Sequence, residues 1–284
     1  MGGLAAGRWA CQVQLHSWAA AGRGRRTRTR TRTRTRTCMR NKYRTASISS
    51  ISITCSCHGE QSSTIRTIQK CGVVACLRAN SPGLALETAR MALDEGISVL
   101  EITMTTPNAL QVIAKLVLEY PSAVIGAGTV LTCEDAKSAE LAGAKFLMSP
   151  ALVSDILEVF KDTCILYIPG AMTPTEVLNA HAFGARIIKI YPVTVLGGER
   201  YIQTLRRPFH HIPMVASQGI TMETMNLYIR MGVSAVVLSD AIFSKTAMAT
   251  RDFGLIKKLA GLAASKGKAA VRSVAESRHE QFPV

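Results

Sequence analysis

A lysine stands inside an apolar, β-branched run, Ala185-Arg186-Ile187-Ile188-Lys189-Ile190-Tyr191-Pro192. Such a run, closed by proline, reads as a buried strand of a parallel sheet. An ammonium group there must either reach water along its own methylene stem or stay desolvated. Desolvation disfavours the charged form and leaves the free amine that Schiff-base chemistry needs. A second ionisable residue interrupts a comparable run, Val99-Leu100-Glu101-Ile102-Thr103. Strand alternation puts Val99, Glu101 and Thr103 on one face, and Ile187, Lys189 and Tyr191 on one face of the other run. If both faces point into one interior, Glu101 can shuttle protons for Lys189 during carbinolamine formation, dehydration and carbon–carbon cleavage. The bland alternatives are a strand-end lysine with its head in water, or a structural Lys–Glu pair, which adds little stability when buried.

Positioning these residues requires a regular scaffold, and the chain supplies one. Apolar, β-rich runs recur at 73–77, 99–103, 123–125, 146–148, 165–168, 186–191, 214–216 and 235–238. Between them lie segments with helical spacing, such as Leu110, Ile113 and Val117, and later Leu255, Leu259 and Leu262. Ser81-Pro82, Thr106-Pro107, Thr173-Pro174 with Glu176, and Gly197-Gly198 supply turn and helix-start signals. Strands alternating with helices predict an α/β fold, a single (β/α)8 TIM barrel over residues 59–284 with a short N-terminal helix at 62–70. A doubly wound open sheet is disfavoured, because no GxGxxG turn follows the first run and the polar residues do not gather at one switch point. They recur instead at strand ends: Arg78, Glu101 and Thr103, Gly128-Thr129, Ser149-Pro150, Pro169-Gly170, Lys189, Ser217, and Ser239-Asp240. In a barrel all these ends meet at one mouth, where active sites of the fold sit. Polar loop starts are expected of any barrel. A Glu and a Lys within apolar strands are not.

The net charge of +15 suggests a nucleic-acid binder until its distribution is read. Residues 1–60 hold 12 Lys/Arg and one acidic residue, which leaves 22 Lys/Arg against 18 Asp/Glu in the rest. The surplus belongs to the leader, with its Arg-Thr repeat from Arg26 to Thr37 and Ser/Thr-rich continuation. Arg-rich, hydroxyl-rich and acid-poor, residues 1–58 read as a disordered organelle transit peptide, for the chloroplast first and the mitochondrion second. A basic nucleic-acid arm is the weaker reading, since no aromatics interleave the repeat. No apolar stretch has the length of a membrane span. Cys11, Cys38, Cys55 and Cys57 lie in the leader; Cys71, Cys76, Cys133 and Cys164 are dispersed without CxxC spacing and read as reduced and structural. Cys55-Ser56-Cys57-His58 is half a metal motif with no second half.

Val99-Leu100-Glu101-Ile102-Thr103, Gly126-Ala127-Gly128-Thr129-Val130, Ser149-Pro150, Ile168-Pro169-Gly170 and Lys189-Ile190-Tyr191-Pro192 together resemble the class I pyruvate aldolases. These enzymes cleave 2-keto-3-deoxy-6-phosphogluconate or 4-hydroxy-2-oxoglutarate, and the likeness runs in matching order over residues 67–271. The resemblance implies a homotrimeric barrel without metal or cofactor, Lys189 as Schiff-base lysine and Glu101 as general acid/base. It implies further that Thr129 and the 126–129 loop hold the pyruvyl carboxylate, that Thr103 lies with them, and that Pro169-Gly170 line the mouth. Two departures stand out. Some members carry an arginine four residues after the glutamate, where this chain has Thr105; Arg78 is the replacement anchor, able to grip a carboxylate with two N–H groups. Members that take phosphorylated substrate show Thr-Gly-Gly and Gly-Ser after the seventh and eighth strands, where backbone N–H groups cradle phosphate. This chain has Ser217-Gln218-Gly219 and Ser239-Asp240. Ser217, Gly219 and Ser239 keep the substrate-facing positions, while Gln218 fills space and Asp240 adds a negative charge.

The expected activity is therefore a lyase releasing pyruvate and an aldehyde from a 2-oxo acid, with weak use of phosphorylated substrate. Another phosphate-handling barrel enzyme and a weakened barrel serving as a binding module are the alternatives. Neither nucleic acid nor membrane is an expected partner. Arg206-Arg207, His210-His211 and His181 read as surface residues, and Met222, Met225 and Met231 as core and interface filler.

Overall fold

The computed structural model describes residues 51–281, with side chains from 59 to 277. The segment expected to be a transit peptide and the Cys55–His58 cluster, as far as their side chains go, lie outside the described residues.

Strands β1 (Val73–Leu77), β2 (Val99–Thr103), β3 (Val124–Gly128) and β4 (Phe146–Met148) alternate with helices α2 (Pro82–Asp94), α3 (Ala109–Glu119) and α4 (Cys133–Leu141). Helix α5 (Ser154–Phe160) leads to a fifth strand in two pieces, β5 (Leu166–Ile168) and β6 (Gly170–Ala171). Next come α6 (Pro174–Ala182), β7 (Ile188–Ile190), α7 (Glu199–Arg206), β8 (Met214–Ser217), α8 (Met225–Arg230) and β9 (Ala235–Leu238). Helices α9 (Lys245–Thr250) and α10 (Phe253–Gln281) end the described chain, and α1 (Ile51–Cys71) precedes it all, longer than the helix expected at 62–70.

All strands are parallel, in the order β5-β4-β3-β2-β1-β9-β8-β7-β6. The eight expected strands become nine segments because Pro169 has no N–H with which to continue a ladder. The half before it pairs with β4 and the half after it with β7, so the sheet closes through that proline. The fold is the expected TIM barrel.

Local sequence explains the helix starts. Ser81 accepts from Leu84 N–H ahead of Pro82. Thr173 and Glu176 form a capping box, and the Glu176 carboxylate also accepts from Met172 and Thr173 N–H at 2.6 and 2.9 Å. Thr106-Pro107 starts no helix. Helix α3 begins behind Asn108, whose φ is 54°, and the Thr106 hydroxyl instead accepts from Ala79 N–H at 3.2 Å. The leucine stripe expected on α10 is also displaced. Leu255 and Leu262 are exposed, while Ile256, Ala260, Ala263 and Ala270 face the core. Small residues let this long helix lie close: a Cβ on Gly267 would strike the Cys71 carbonyl and Val73.

Two apolar layers result. One lies between sheet and helices; the other fills the barrel with Val74, Val99, Phe146, Met148, Leu166, Ile168, Ile187, Val215 and their neighbours. Ile65, Ile68 and Cys71 of α1 belong to the inner layer, so α1 plugs the barrel. Gln61 fastens the plug: its Nε2, nearly inaccessible, donates to the carbonyls of Thr163 and Ile165 at 2.6 and 3.0 Å. Arg186 donates to Gln61 and Ser62 from the other side.

Cys71, Cys76 and Cys133 are free, as expected, but Cys164 is disulfide-bonded, so its partner lies outside the described side chains. A search for CxxC spacing cannot see a pairing between distant segments. Arg206 is not a plain surface residue either, since it donates to the Phe209 and Ile212 carbonyls and pins the connection before β8.

Candidate active site

Cys76 and Glu101 are Cα partners on β1 and β2, Glu101 pairs with Gly126, and Lys189 pairs with Gly170 and Val215. In a closed parallel barrel, residues at matched register on one face point into the same interior. Lys189 is 7% exposed and Glu101 1%. Both line a cavity of about 1190 Å³ at the C-terminal strand ends, together with Cys76, Arg78, Thr103, Thr105, Thr129 and Tyr191.

Glycines on β3 make room for the carboxylate. A Cβ on Gly126 would run into the Phe146 ring, and one on Gly128 would overlap the Glu101 carboxyl group. So the inner face of β3 seats a ring low in the barrel and the acid above it. This corrects the expectation of a 126–129 carboxylate-binding loop: 126–128 belong to the strand, and only Thr129 steps out, at φ 59°. A β-branched residue in that conformation is strained, by on the order of 1–2 kcal/mol, and such strain gathers at functional sites.

The buried charges are not a satisfied structural pair. Glu101 Oε2 has no hydrogen-bond partner, and no ion pair among the described residues joins it to Lys189. A buried carboxylate oxygen without a protein partner is available to take a hydrogen bond from a molecule in the cavity. Lys189 Nζ lies 5.3 Å from the centre of the Tyr191 ring, whose face favours a cation. The Lys189 backbone N–H donates to the Pro169 carbonyl at 2.8 Å, which fixes where its side chain departs.

Of the other expected residues, Thr103 is buried and its hydroxyl lies 3.0 Å from that of Thr105. Arg78, Ser217, Gly219 and Ser239 line the cavity as expected. Pro169 does not. Pro150 takes the wall instead, because Gly170 has no Cβ to keep the Pro150 carbonyl away. Behind that wall, the hydroxyls of Ser149 and Tyr167 meet at 2.7 Å, and Tyr167 accepts from Val153 N–H. Burial pushes the Tyr167 phenol up, which keeps it a neutral link.

At the far end, Gln218 has φ 87° and Gly219 φ 71°. Gln218 Oε1 accepts from the Thr194 hydroxyl at 2.6 Å, so the turn after β8 is tied to the loop after β7. Glycine would hold the Gln218 conformation without strain. Asp240, Glu223 and Lys245 complete the rim. Sequence reasoning missed Lys245, Glu223 and Cys76 as cavity residues. For Cys76 the signal was present, since Val74, Cys76 and Arg78 alternate on one face of the first strand.

Comparison with known proteins agrees with this geometry. The model of the "KDPG and KHG aldolase" family matches residues 64–259. A 2-dehydro-3-deoxy-phosphogluconate aldolase of Pseudoalteromonas atlantica is 36% identical over 137 residues, which is 48% of this chain and 64% of that protein. The KHG/KDPG aldolase of Escherichia coli K12 is 28% identical over 176 residues, 62% of this chain and 83% of that one. KDPG aldolase of Legionella pneumophila, solved with pyruvate captured as a covalent carbinolamine, superposes with TM-score 0.66 at 25% identity, over 70% of this chain and 97% of that chain. A cube-shaped cage designed by fusing symmetric oligomeric domains gives TM-score 0.67 at 27% identity, over 75% of this chain and 77% of that one. With the family model spanning most of the barrel, and Lys189 and Glu101 gathered in one cavity, the chain belongs to the KDPG and KHG aldolase family.

Proposed function

We propose that this protein is a class I aldolase, a lyase that cleaves a 4-hydroxy-2-oxo acid into pyruvate and an aldehyde through an imine on Lys189. The observation that carries the reading is a buried lysine and a buried carboxylate facing one cavity, with Glu101 Oε2 left without a partner. The Lys189 amine attacks the C2 carbonyl, and a proton passed on by the Glu101 carboxyl lets the carbinolamine hydroxyl leave as water, which gives the iminium and leaves Glu101 as the carboxylate. Glu101 takes the proton of the C4 hydroxyl. The C3–C4 bond breaks, its electron pair forms the enamine, and the aldehyde leaves. Protonated Glu101 then returns a proton to C3, and water releases pyruvate from Lys189. Arg78 supplies the charge that holds the substrate carboxylate, with Thr129 and Thr103 beside it.

The far end favours an unphosphorylated substrate such as 4-hydroxy-2-oxoglutarate. Gln218 occupies the turn where a dianion would need bare backbone N–H groups. Asp240 adds a like charge, which repels by about 1 kcal/mol at 4 Å in water and by more when partly buried.

The assembly we propose is a homotrimer. Leu118, Leu141, Val195 and Phe183 are 82%, 90%, 75% and 59% exposed, which is more apolar surface than a lone barrel needs to show. Residues 1–58 act as a plastid transit peptide, on the strength of their Arg-Thr and Ser/Thr composition.

Borohydride reduction in the presence of pyruvate tests the central reading. The expected result is a reduced pyruvyl adduct on Lys189, located by peptide mass mapping and absent from Lys189→Ala. Failure of the wild-type chain to trap pyruvate would leave only a binding module.

A further inference from the structure

Cys76 has no part in the chemistry set out above, yet it stands beside the residue that does most of it. Cys76 and Glu101 are Cα partners on adjacent parallel strands, so their side chains leave the sheet side by side on one face. Both line the cavity. Glu101 is 1% exposed and its Oε2 has no hydrogen-bond partner. The charged groups acting on Cys76 are Glu101 from β2, Lys189 from β7 and Arg78 from the end of its own strand, and Tyr191, just past β7, lines the same cavity. Val237 of β9 and Ser239 just after it line the cavity uncharged, and Asp240 lines it as well. The thiol's only carboxylate neighbour on the adjoining strands is therefore the one that moves protons.

We propose that Cys76 is a positioning residue for Glu101: its S–H turns toward the carboxylate, holds it in the orientation for proton transfer and favours its ionised form. Burial and the negative charge of Glu101 push the thiol well up from its ordinary value, so it stays protonated as a donor instead of becoming a nucleophile or an oxidisable thiolate. The proposal rests on the Schiff-base reading of Lys189.

The step it affects can be isolated without knowing the aldehyde. Once pyruvate has formed its iminium with Lys189, Glu101 removes a proton from the C3 methyl group. The C–H electron pair becomes the C2–C3 double bond, and the iminium pair returns to nitrogen as the neutral enamine. Reprotonation in deuterium oxide by the exchanged carboxyl puts deuterium on C3. Methyl exchange of pyruvate, followed by NMR against pH, therefore reports the proton transfer alone.

Cys76→Val fills similar space without a donor, and Cys76→Ser keeps one. On the full chain, the acid limb of the exchange profile is expected to move up by roughly half a unit to one unit in Cys76→Val. It should stay near the wild-type position in Cys76→Ser, with the pyruvate concentration for half-saturation little changed in either. Superimposable profiles for wild type and Cys76→Val, or equal shifts in both variants, would overturn the proposal. Borohydride trapping on the same samples separates the two ideas: an adduct with unmoved profiles defeats Cys76 alone, whereas no adduct in wild type defeats the imine reading and this proposal together.

Discussion

A carboxylate that is buried must have somewhere to sit, and here that place is made by what its neighbour lacks. Gly128 is required because the Glu101 carboxyl group occupies the volume its Cβ would fill. Lys189 and Glu101 were legible in the sequence, since charges inside apolar strands are costly and so informative. Cys76 was legible only as a member of the face that Val74 and Arg78 also occupy; its place next to Glu101 needed the strand register. Gln218 was legible as crowding, but its tie to Thr194 needed the folded loops. The consequence at this scale concerns selectivity. Wild type is expected to show a higher kcat/KM for 4-hydroxy-2-oxoglutarate than for the phosphorylated sugar acid. Gln218→Gly is expected to shift the ratio toward the phosphorylated compound by roughly tenfold, equivalent to about 1.4 kcal/mol. Parity in the wild-type enzyme would remove Gln218 and Asp240 as selectors.

Helix starts were read well where side chain and backbone cooperate locally, and badly where tertiary contacts recruit the same residue. Thr173 caps α6 as its sequence suggests, whereas Thr106 is drawn away to hold the loop after β1. Helix α10 shows the opposite limit: leucines mark an apolar stripe, but close approach selects the alanine and glycine face instead. The α6 cap carries a pH signature. Two backbone N–H donors hold the Glu176 carboxyl below its ordinary value of 4.5. A group whose folded pKa is lowered stabilises the protein above that ordinary value and loses the contribution as pH falls through the folded one. Thermal melts should therefore show Glu176→Gln less stable than wild type at pH 7, by about 0.5 kcal/mol, with the gap closing below pH 4. A gap that persists unchanged at pH 3 would mean the charge is not what matters.

For the molecule as a whole, strand count, parallel sheet and a mouth of polar strand ends all followed from periodicity and punctuation. What periodicity could not show is how the ring closes, because Pro169 divides one strand between two partners. Nor could it show that α1 is part of the core. Ile65 and Ile68 fill the end of the barrel opposite the cavity, each contributing about 1.5–3 kcal/mol by burial. A chain starting at Gly59 keeps the core contacts of α1 and is expected to retain a cooperative transition, while one starting at Gly72 should lose it and bind a hydrophobic dye. Equal melting of the two would show α1 to be dispensable.

The Gln61 fastening then sets a ruler for any shortening of the chain ahead of the barrel. Its amide reaches carbonyls a hundred residues downstream, those of Thr163 and Ile165. A cut ahead of Gln61 leaves the barrel corked; a cut behind it pulls the cork. How far the chain can be shortened from that side is thus dictated by the barrel.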